Sequence, residues 1–118
     1  MREERGQLSG DLTVDEPFNL WGSIAGNVSV VKGAKFYVRG AIHGNLTVEE
    51  GGRCHIYGQV IGDLFVMEGA KVIHSGMLRG NAINNGGRLY VDKHARVIGR
   101  VTTNQGDTFI QPQDEAAQ

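Results

Sequence analysis

The stretch GNVSVVKGAKFYVRGAIHGNLTVEEGGRCHIYGQVIGDLFVMEGAKVIHSGMLRG, residues 26–80, repeats one pattern three times with a period of 18 residues. Counted from Gly26 as position 0, a glycine followed by Asn or Asp recurs at Gly44, Gly62 and Gly80. Apolar residues occupy even positions, an alternation typical of β-strands with one buried face. Glycines at positions 7 and 14 divide each unit into three short strands.

Short strands in repeat units of this length predict an all-β protein, a single β-solenoid in which each coil pairs with its neighbours. We expect a right-handed β-helix, because positions 2, 8 and 14 are aliphatic, small and glycine, which fits a left-handed hexapeptide helix poorly. Weaker copies begin at Gly10, whose shorter coil ends just before Gly26, and at Gly87. The sequence predicts five to six coils over residues 10–102. Residues 1–9 are predicted to form a flexible tail, and residues 103–118 a flexible acidic tail.

Composition limits the classes of function. The chain has 118 residues, enough for one domain, and its 12 basic and 13 acidic residues nearly cancel. That balance does not indicate a nucleic-acid-binding protein. No apolar run is long enough to span a membrane, and the first residues lack the apolar core of a secretory signal. A single cysteine fits a reducing cytoplasm.

No group of residues predicts catalysis, a cofactor or a metal ion. The four histidines, His43, His55, His74 and His94, fall at different repeat positions, so they do not form the column that a metal site would need. Cys54 belongs to an inward column and is interpreted as a small buried apolar residue. Two residues depart from the pattern: His74 points inward, and Asn84 stands where valine is expected. Asp11, Asp63 and the asparagines beside the corner glycines predict a polar ladder that stabilises the stack.

Two outward columns are the candidate partner surface. Position 9 is basic and position 11 is rich in aromatic and aliphatic residues, which favours burial against something. The basic column could be neutralised by Glu49, Glu50 and Glu68, or it could bind an anionic partner. The apolar column could lie under a tail, pair two filaments side by side or bind another protein. The predicted residues are Lys35, Arg53, Lys71 and Arg96 at position 9, and Trp21, Tyr37, His55, Ile73 and Ile98 at position 11.

The two ends of the solenoid are the second candidate surface. No capping helix is evident at either end, and a solenoid end without a cap exposes apolar residues and unpaired backbone. We therefore expect the chain to be a homo-oligomer or filament, stacking head to head or tail to tail. A charged residue in place of Leu12 or Val101 should give a smaller, folded species. The predicted contact residues are Leu12, Val14, Leu20 and Ile24 at one end, and Leu89, Val91, Val97 and Val101 at the other.

The repeated blocks resemble those of the bactofilins, small bacterial cytoskeletal proteins. The pattern G-x-[IV]-x-G-[ND]-[LV] reads GSIAGNV at residues 22–28, GAIHGNL at 40–46 and GQVIGDL at 58–64, and GMLRGNA at 76–82 is a weaker copy. The resemblance implies a cytoplasmic scaffold that polymerises end to end without nucleotide. Many bactofilins also touch the inner membrane through an N-terminal tail, although the tail here has no apolar anchor. The alternative is a discrete monomeric or dimeric protein-binding module, such as an immunity protein or an adaptor.

Overall fold

The computed structural model describes residues 1–112, which form β-strands and no helix. No segment of this described part is therefore a helix that could cross a membrane. The strands are β1 (Arg2–Glu4), β2 (Gln7–Ser9), β3 (Leu12–Val14), β4 (Phe18–Leu20), β5 (Ser23–Ala25), β6 (Val28–Val30), β7 (Lys35–Val38), β8 (Ala41–His43), β9 (Leu46–Val48), β10 (Arg53–Ile56), β11 (Gln59–Val60), β12 (Leu64–Met67), β13 (Lys71–His74), β14 (Met77–Leu78), β15 (Ala82–Val91), β16 (Arg96–Val97) and β17 (Val101–Ile110).

The strands stack into a β-solenoid of about six coils with three strands in each coil. Face one contains β1, β4, β7, β10, β13 and the second half of β15, and face two contains β2, β5, β8, β11, β14 and β16. Face three contains β3, β6, β9, β12 and the first half of β15. All of these pairs are parallel, and β17 pairs with β15 along both of its halves. The predicted β-solenoid is confirmed; its right-handed sense stays a prediction.

Coil length is constant only in the middle of the stack. Phe36 pairs with Phe18 and Cys54 with Phe36, a spacing equal to the period of the repeat. The first coil is shorter, since Arg2 pairs with Phe18. After β13 the number of residues between paired neighbours changes. Val72 and Leu89 on face one are one residue closer in sequence than the repeat period, and Leu78 and Val97 on face two are one residue further apart. Corners of unequal length produce these changes, and they shift the register of every later residue.

The core consists of inward columns that run through all coils. Phe18 and Phe36 pack against each other with ring centroids 5.4 Å apart and ring planes tilted by 49°, and fully buried aliphatic residues continue the columns on all three faces. Each buried Leu, Ile or Phe contributes about 1.5–3 kcal/mol relative to an exposed one. A single coil has no second layer to cover these side chains, so the stack folds as a unit.

A polar ladder runs beside the corner glycines, as predicted. In each coil a backbone N–H donates to the side-chain oxygen of the Asp or Asn in the coil before, at 2.8–2.9 Å. The donors and acceptors are Asn27 and Asp11, Asn45 and Asn27, Asp63 and Asn45, Asn81 and Asp63, and Arg100 and Asn81. Because each bond joins two successive coils, the ladder fixes their register as well as stabilising them.

The prediction of flexible tails is wrong for most of the residues it covered. Residues 2–4 and 7–9 form β1 and β2, which complete the first coil by pairing with β4 and β5. Residues 103–110 belong to β17. Their polar side chains gave no strand signal, but the edge of a coil offers backbone groups that any sequence can pair with. Residues 113–118 of the predicted acidic tail lie outside the described residues.

Candidate interaction surfaces

The basic column of face one contains Lys35, Arg53, Lys71 and Arg88. These four residues are direct neighbours on successive coils, and all are exposed. The predicted placement in one outward column is confirmed for the first three and wrong for Arg96, which lies on face two beside Met77. That the column binds a partner stays a prediction. Arg88 was missed because the coil before it is one residue short, so a count by the repeat period passes over it.

The apolar column of face one contains Tyr37, His55, Ile73, Tyr90 and Phe109, which are also direct neighbours. The rings of Tyr90 and Phe109 are stacked with centroids 5.3 Å apart. Trp21 and Ile98 were wrongly assigned to this column. Asn19 is the neighbour of Tyr37, while the Ile98 amide bonds the carbonyl of Leu78 on face two. Both errors come from coils whose length departs from the repeat period.

Trp21 instead takes part in a cation–π stack at the corner between faces one and two. The Arg39 guanidinium lies 5.0 Å from the Trp21 ring and 4.7 Å from the Tyr57 ring, and Arg5 lies 5.0 Å from Trp21 on the other side. The Trp21 indole N–H donates to the Glu3 carboxylate at 2.8 Å. These groups satisfy one another, so the corner stabilises the first coils and leaves face one as the candidate surface.

The basic column forms no ion pair within the described part of the chain, although Asp107 is the strand neighbour of Arg88. The one ion pair of that part joins Arg5 and Glu3 at 3.7 Å, and neither residue belongs to the column. The expected neutralisation by Glu49, Glu50 and Glu68 is therefore wrong as regards ion pairs. A groove of about 180 Å³ separates the basic from the apolar column, and Cys54 lies at its base.

Cys54 is a buried member of the inward column, as predicted, with 4% of its surface exposed. Burial raises the pKa of its thiol far above the usual value. The thiolate is the reactive form of cysteine, so at neutral pH this side chain is a packing residue.

One chain of polar side chains was not foreseen from the sequence. The Ser75 hydroxyl donates to the Asp92 carboxylate, and His55 Nε2 bonds Ser75 Oγ at 3.0 Å. Burial lowers the pKa of His55, an effect that Asp92 opposes. For Asp92, partial burial raises the pKa, but the hydrogen bonds from Ser75 and the His94 amide outweigh it and the pKa is lowered.

Serine stands between the acid and the histidine in this chain. In a hydrolase triad the histidine stands in the middle and removes the serine proton. Here that proton is directed to the carboxylate, so the geometry is a stabilising link between coils. Sequence spacing could not reveal it, because the three residues occupy different repeat positions.

No group of three or more metal-ligating side chains occurs within residues 1–112. Comparisons with known proteins add no assignment: no family model, no curated protein and no solved structure matches the chain.

The C-terminal end of the solenoid is an open strand edge. Strand β17 covers β15, and within residues 1–112 no further strand pairs with it. Its inward positions hold Val101, Thr103, Thr108 and Ile110, and Ile110 is 58% exposed. Unpaired edge strands are ready to pair with another chain.

The N-terminal end has a different chemistry. Arg2 and Glu4 occupy the inward positions next to Phe18 and Leu20, and the Arg2 guanidinium lies 4.5 Å from the Phe18 ring. Leu20, Ile24, Leu89 and Val91 lie beneath a further strand and are not end residues, contrary to the prediction. The predicted residues at the ends are Leu12 and Val14 in β3, with Val97 and Val101; Val14 is buried and the other three are partly buried.

His74 makes stability depend on pH. Its ring is 1% exposed, Nε2 donates to the Arg96 carbonyl at 2.9 Å, and Nδ1 has no hydrogen-bond partner among residues 1–112. Burial lowers the pKa of His74 below its usual 6.5, against smaller opposing effects of the Arg96 carbonyl and Asp92. The unfolded chain therefore binds a proton at a higher pH than the folded chain does. Stability contributed by neutral His74 is lost as pH falls below about 6.5.

We expect His74→Ile to weaken this pH dependence. Isoleucine restores the aliphatic column between Ile56 and Val91 and removes the ionisable ring. Urea unfolding at two pH values, one above and one below the usual histidine pKa of about 6.5, measures the effect. The wild-type chain should lose more stability between the two pH values than the variant. Equal losses in the two proteins would show that His74 does not carry the effect.

Proposed function

We propose that this chain is a non-enzymatic structural protein of bactofilin type that joins end to end through its terminal coils without nucleotide. The observation that carries the proposal is the open edge of β17, a long strand with Asp107 as its one charged side chain. Monomeric solenoids protect such edges with caps, charges or prolines. A cytoplasmic location in bacteria, with peripheral contact to the inner membrane as a further option, belongs to the same proposal.

The residues of β17 support a tail-to-tail joint. Two copies related by a two-fold axis at the corner between Gln105 and Gly106 would pair their β17 strands antiparallel. Val101 then faces Ile110 of the second copy, and Thr103 faces its Thr108. Inward positions meet inward positions on both sides, so the columns of the two cores continue across the joint. A self-complementary patch of this kind is what a two-fold interface requires.

The N-terminal end, the head, favours pairing with another head over pairing with the C-terminal end, the tail. A head-to-tail joint would place Arg2 and Glu4 against Thr108 and Ile110, and burying charges without partners costs free energy. In an antiparallel head-to-head joint, Arg2 faces Glu4 of the second copy. Opposite charges directly across a strand pair stabilise it. End-to-end assembly would then alternate between an apolar joint and a charged joint.

Ile110→Asp tests the tail joint. A carboxylate at an inward position of the joint would have to be buried next to Val101, so we expect the tail-to-tail species to dissociate. Size-exclusion chromatography with light scattering over a range of concentrations should show the wild-type chain as a dimer or larger and the variant no larger than a head-to-head dimer. At low concentration the variant should approach the mass of the monomer, 12.8 kDa for the wild-type chain.

Ile61→Asp is the matched control. Ile61 is also an exposed isoleucine, 38% accessible, but it lies in the middle of the stack, where the next coil covers the strand edge. This variant should assemble like the wild-type chain. The tail joint is refuted if Ile110→Asp and the wild-type chain have the same mass at every concentration while circular dichroism shows both folded.

The alternative function is a discrete monomeric or dimeric module that binds another protein. The basic column favours it, because four exposed cations outside any ion pair of the described residues are a surface that self-assembly through the ends leaves free. A wild-type chain that remains a monomer at all concentrations would favour this alternative.

A further inference from the structure

The basic column of face one places like charges on neighbouring strands, and a carboxylate faces it in the strand register only at its last member, where Asp107 is the neighbour of Arg88. Lys35, Arg53, Lys71 and Arg88 follow one another on neighbouring strands, and like charges directly opposite each other destabilise a sheet. Lys71 Nζ lies 5.9 Å from the Tyr90 ring, but none of the four cations forms an ion pair with a carboxylate within residues 1–112. An anion from outside the chain would offset this repulsion.

The second wall of the groove is apolar. Lys35, Arg53 and Lys71 line one side of the 180 Å³ groove, and Tyr37, His55 and Ile73 line the other. Tyr37, His55 and Ile73 are half-buried, so each leaves part of its side chain accessible. A ligand that fits the groove therefore has negative charge along one side and apolar groups along the other.

The spacing of the columns gives the length and pattern of that ligand. Coils lie about 4.8 Å apart, so the distance from Lys35 to Arg88, three coils away, is about 14 Å. In an extended peptide, residues on the same side repeat every two positions, at about 6.7 Å. Three acidic residues at alternate positions span about 13.5 Å, which matches the column. The two residues between them point to the opposite side, toward the apolar wall.

We propose that face one binds an extended peptide segment of about five residues in which acidic and apolar residues alternate. The inference does not depend on end-to-end assembly, because face one lies along the side of the stack. Charge complementarity places the acidic side of the peptide against the basic column and its apolar side against the apolar column. The groove between the columns favours a single chain over a planar lipid surface, which would rest on the two columns without entering the groove. Nucleic acid is disfavoured because the 12 basic and 13 acidic residues of the chain nearly cancel.

The test uses three fluorescent peptides and measures their binding by anisotropy. The first contains Glu-Leu-Glu-Leu-Glu, the second Gln-Leu-Gln-Leu-Gln, and the third Glu-Glu-Glu-Leu-Leu, which keeps the composition but loses the alternation. We expect the first to bind most tightly and its affinity to fall as salt is raised, because exposed ion pairs are screened. Measurements on the wild-type chain and on Ile110→Asp should agree, which separates peptide binding from assembly.

Substitutions locate the site. The double variant Arg53→Gln and Lys71→Gln removes the two central cations of the column. It should lower the affinity for the first peptide by about tenfold or more. Its matched control is the double variant Arg79→Gln and Arg96→Gln. Both arginines are exposed; Arg96 lies on face two and Arg79 lies next to it, so the affinity should be unchanged. Thermal unfolding of both variants checks the fold; the first should be at least as stable as the wild-type chain, since two like charges are gone.

Three results would overturn the inference. The first is equal affinity for the alternating and the scrambled acidic peptide, which would reduce the face to a non-specific anion surface. The second is an unchanged affinity in the double variant. The third is absence of peptide binding together with sedimentation on vesicles of phosphatidylserine and phosphatidylcholine but not on phosphatidylcholine alone, which would make the partner a lipid surface.

Discussion

Replacing Gly58 with alanine is expected to prevent the chain from forming a stable solenoid. Gly58 belongs to a column of glycines that lies at the same corner in successive coils: Gly6, Gly22, Gly40, Gly58 and Gly76. A Cβ on Gly58 would overlap the carbonyl oxygen of Gly40 and approach the Arg39 carbonyl oxygen to 2.7 Å. These atoms are backbone held by coil-to-coil hydrogen bonds, so they cannot move aside without breaking the stack. We expect a loss of more than about 4 kcal/mol, or no folded protein.

Gly6→Ala is the matched control for this prediction. Gly6 is the first member of the column and has no coil beneath it, so its Cβ would meet only the flexible Glu4 carboxylate at 3.4 Å. Its stability should stay within about 0.5 kcal/mol of the wild-type chain. Urea unfolding followed by circular dichroism measures both variants. If Gly58→Ala unfolds at the same urea concentration as Gly6→Ala, the close approach of the coils is not what requires glycine.

Asn84→Val is expected to cost about 3 kcal/mol or more, even though valine fits the repeat pattern better than asparagine. The Asn84 side chain is fully buried and makes five hydrogen bonds. Its oxygen accepts from the amides of Gly86 and Gly87 at 3.1 and 2.9 Å. Its nitrogen carries two N–H groups and lies within hydrogen-bond distance of three acceptors, so one N–H is shared between two of them. The acceptors are the carbonyls of Gly87 and Asp107 and the Thr108 hydroxyl, at 3.2, 2.9 and 3.0 Å. Valine removes the partner of all of these groups, and it leaves the buried amide and carbonyl of Gly87 without the Asn84 side chain that they now bond.

The effect should be concentrated at the C-terminal end. Two of the five bonds hold β17, so amide hydrogen exchange in Val101–Ile110 should accelerate in Asn84→Val more than exchange in β7 or β10. Asn85→Val is the control: it is the next residue in the same strand, but its side chain accepts one hydrogen bond, from Asn104 at 2.8 Å. A loss of stability as large in the control as in Asn84→Val would contradict the assigned role.

The repeat was sufficient to predict the solenoid and most of face one. Lys35, Arg53 and Lys71, with Tyr37, His55 and Ile73, lie in coils of constant length, and there a count by the repeat period gives the right neighbours. The errors lie where corners change length. The corner after β3 is two residues shorter than the next, which moves Trp21 out of the apolar column. The shorter corner near Gly86 and the longer corner after Asp92 likewise move Arg96 and Ile98 out of the columns predicted for them.

Corner length is hard to infer because corners carry little sequence signal. Strand alternation records which side chains point inward, but a corner can lose or gain a residue wherever the backbone still connects two strands. The Asn84 side chain stabilises the short corner before Gly87 by bonding the amides of Gly86 and Gly87. In the sequence Asn84 stands out only as a polar residue at a position where the repeat has valine. The end strands β1 and β17 were missed for a related reason: backbone pairing, not apolar side chains, places them.

The glycine column has a consequence for how such a rod could change length during evolution. Each coil from the second to the fifth brings its own glycine to this corner, together with the Asn or Asp that bonds the next coil. The last coil differs: its corner is longer, and Ala95 takes the position that glycine has in the coils before it. Adding a few residues would place a side chain against the carbonyl below, whereas duplicating a whole coil reproduces every contact. Rods of this type would therefore lengthen or shorten in steps of one coil, about 4.8 Å each.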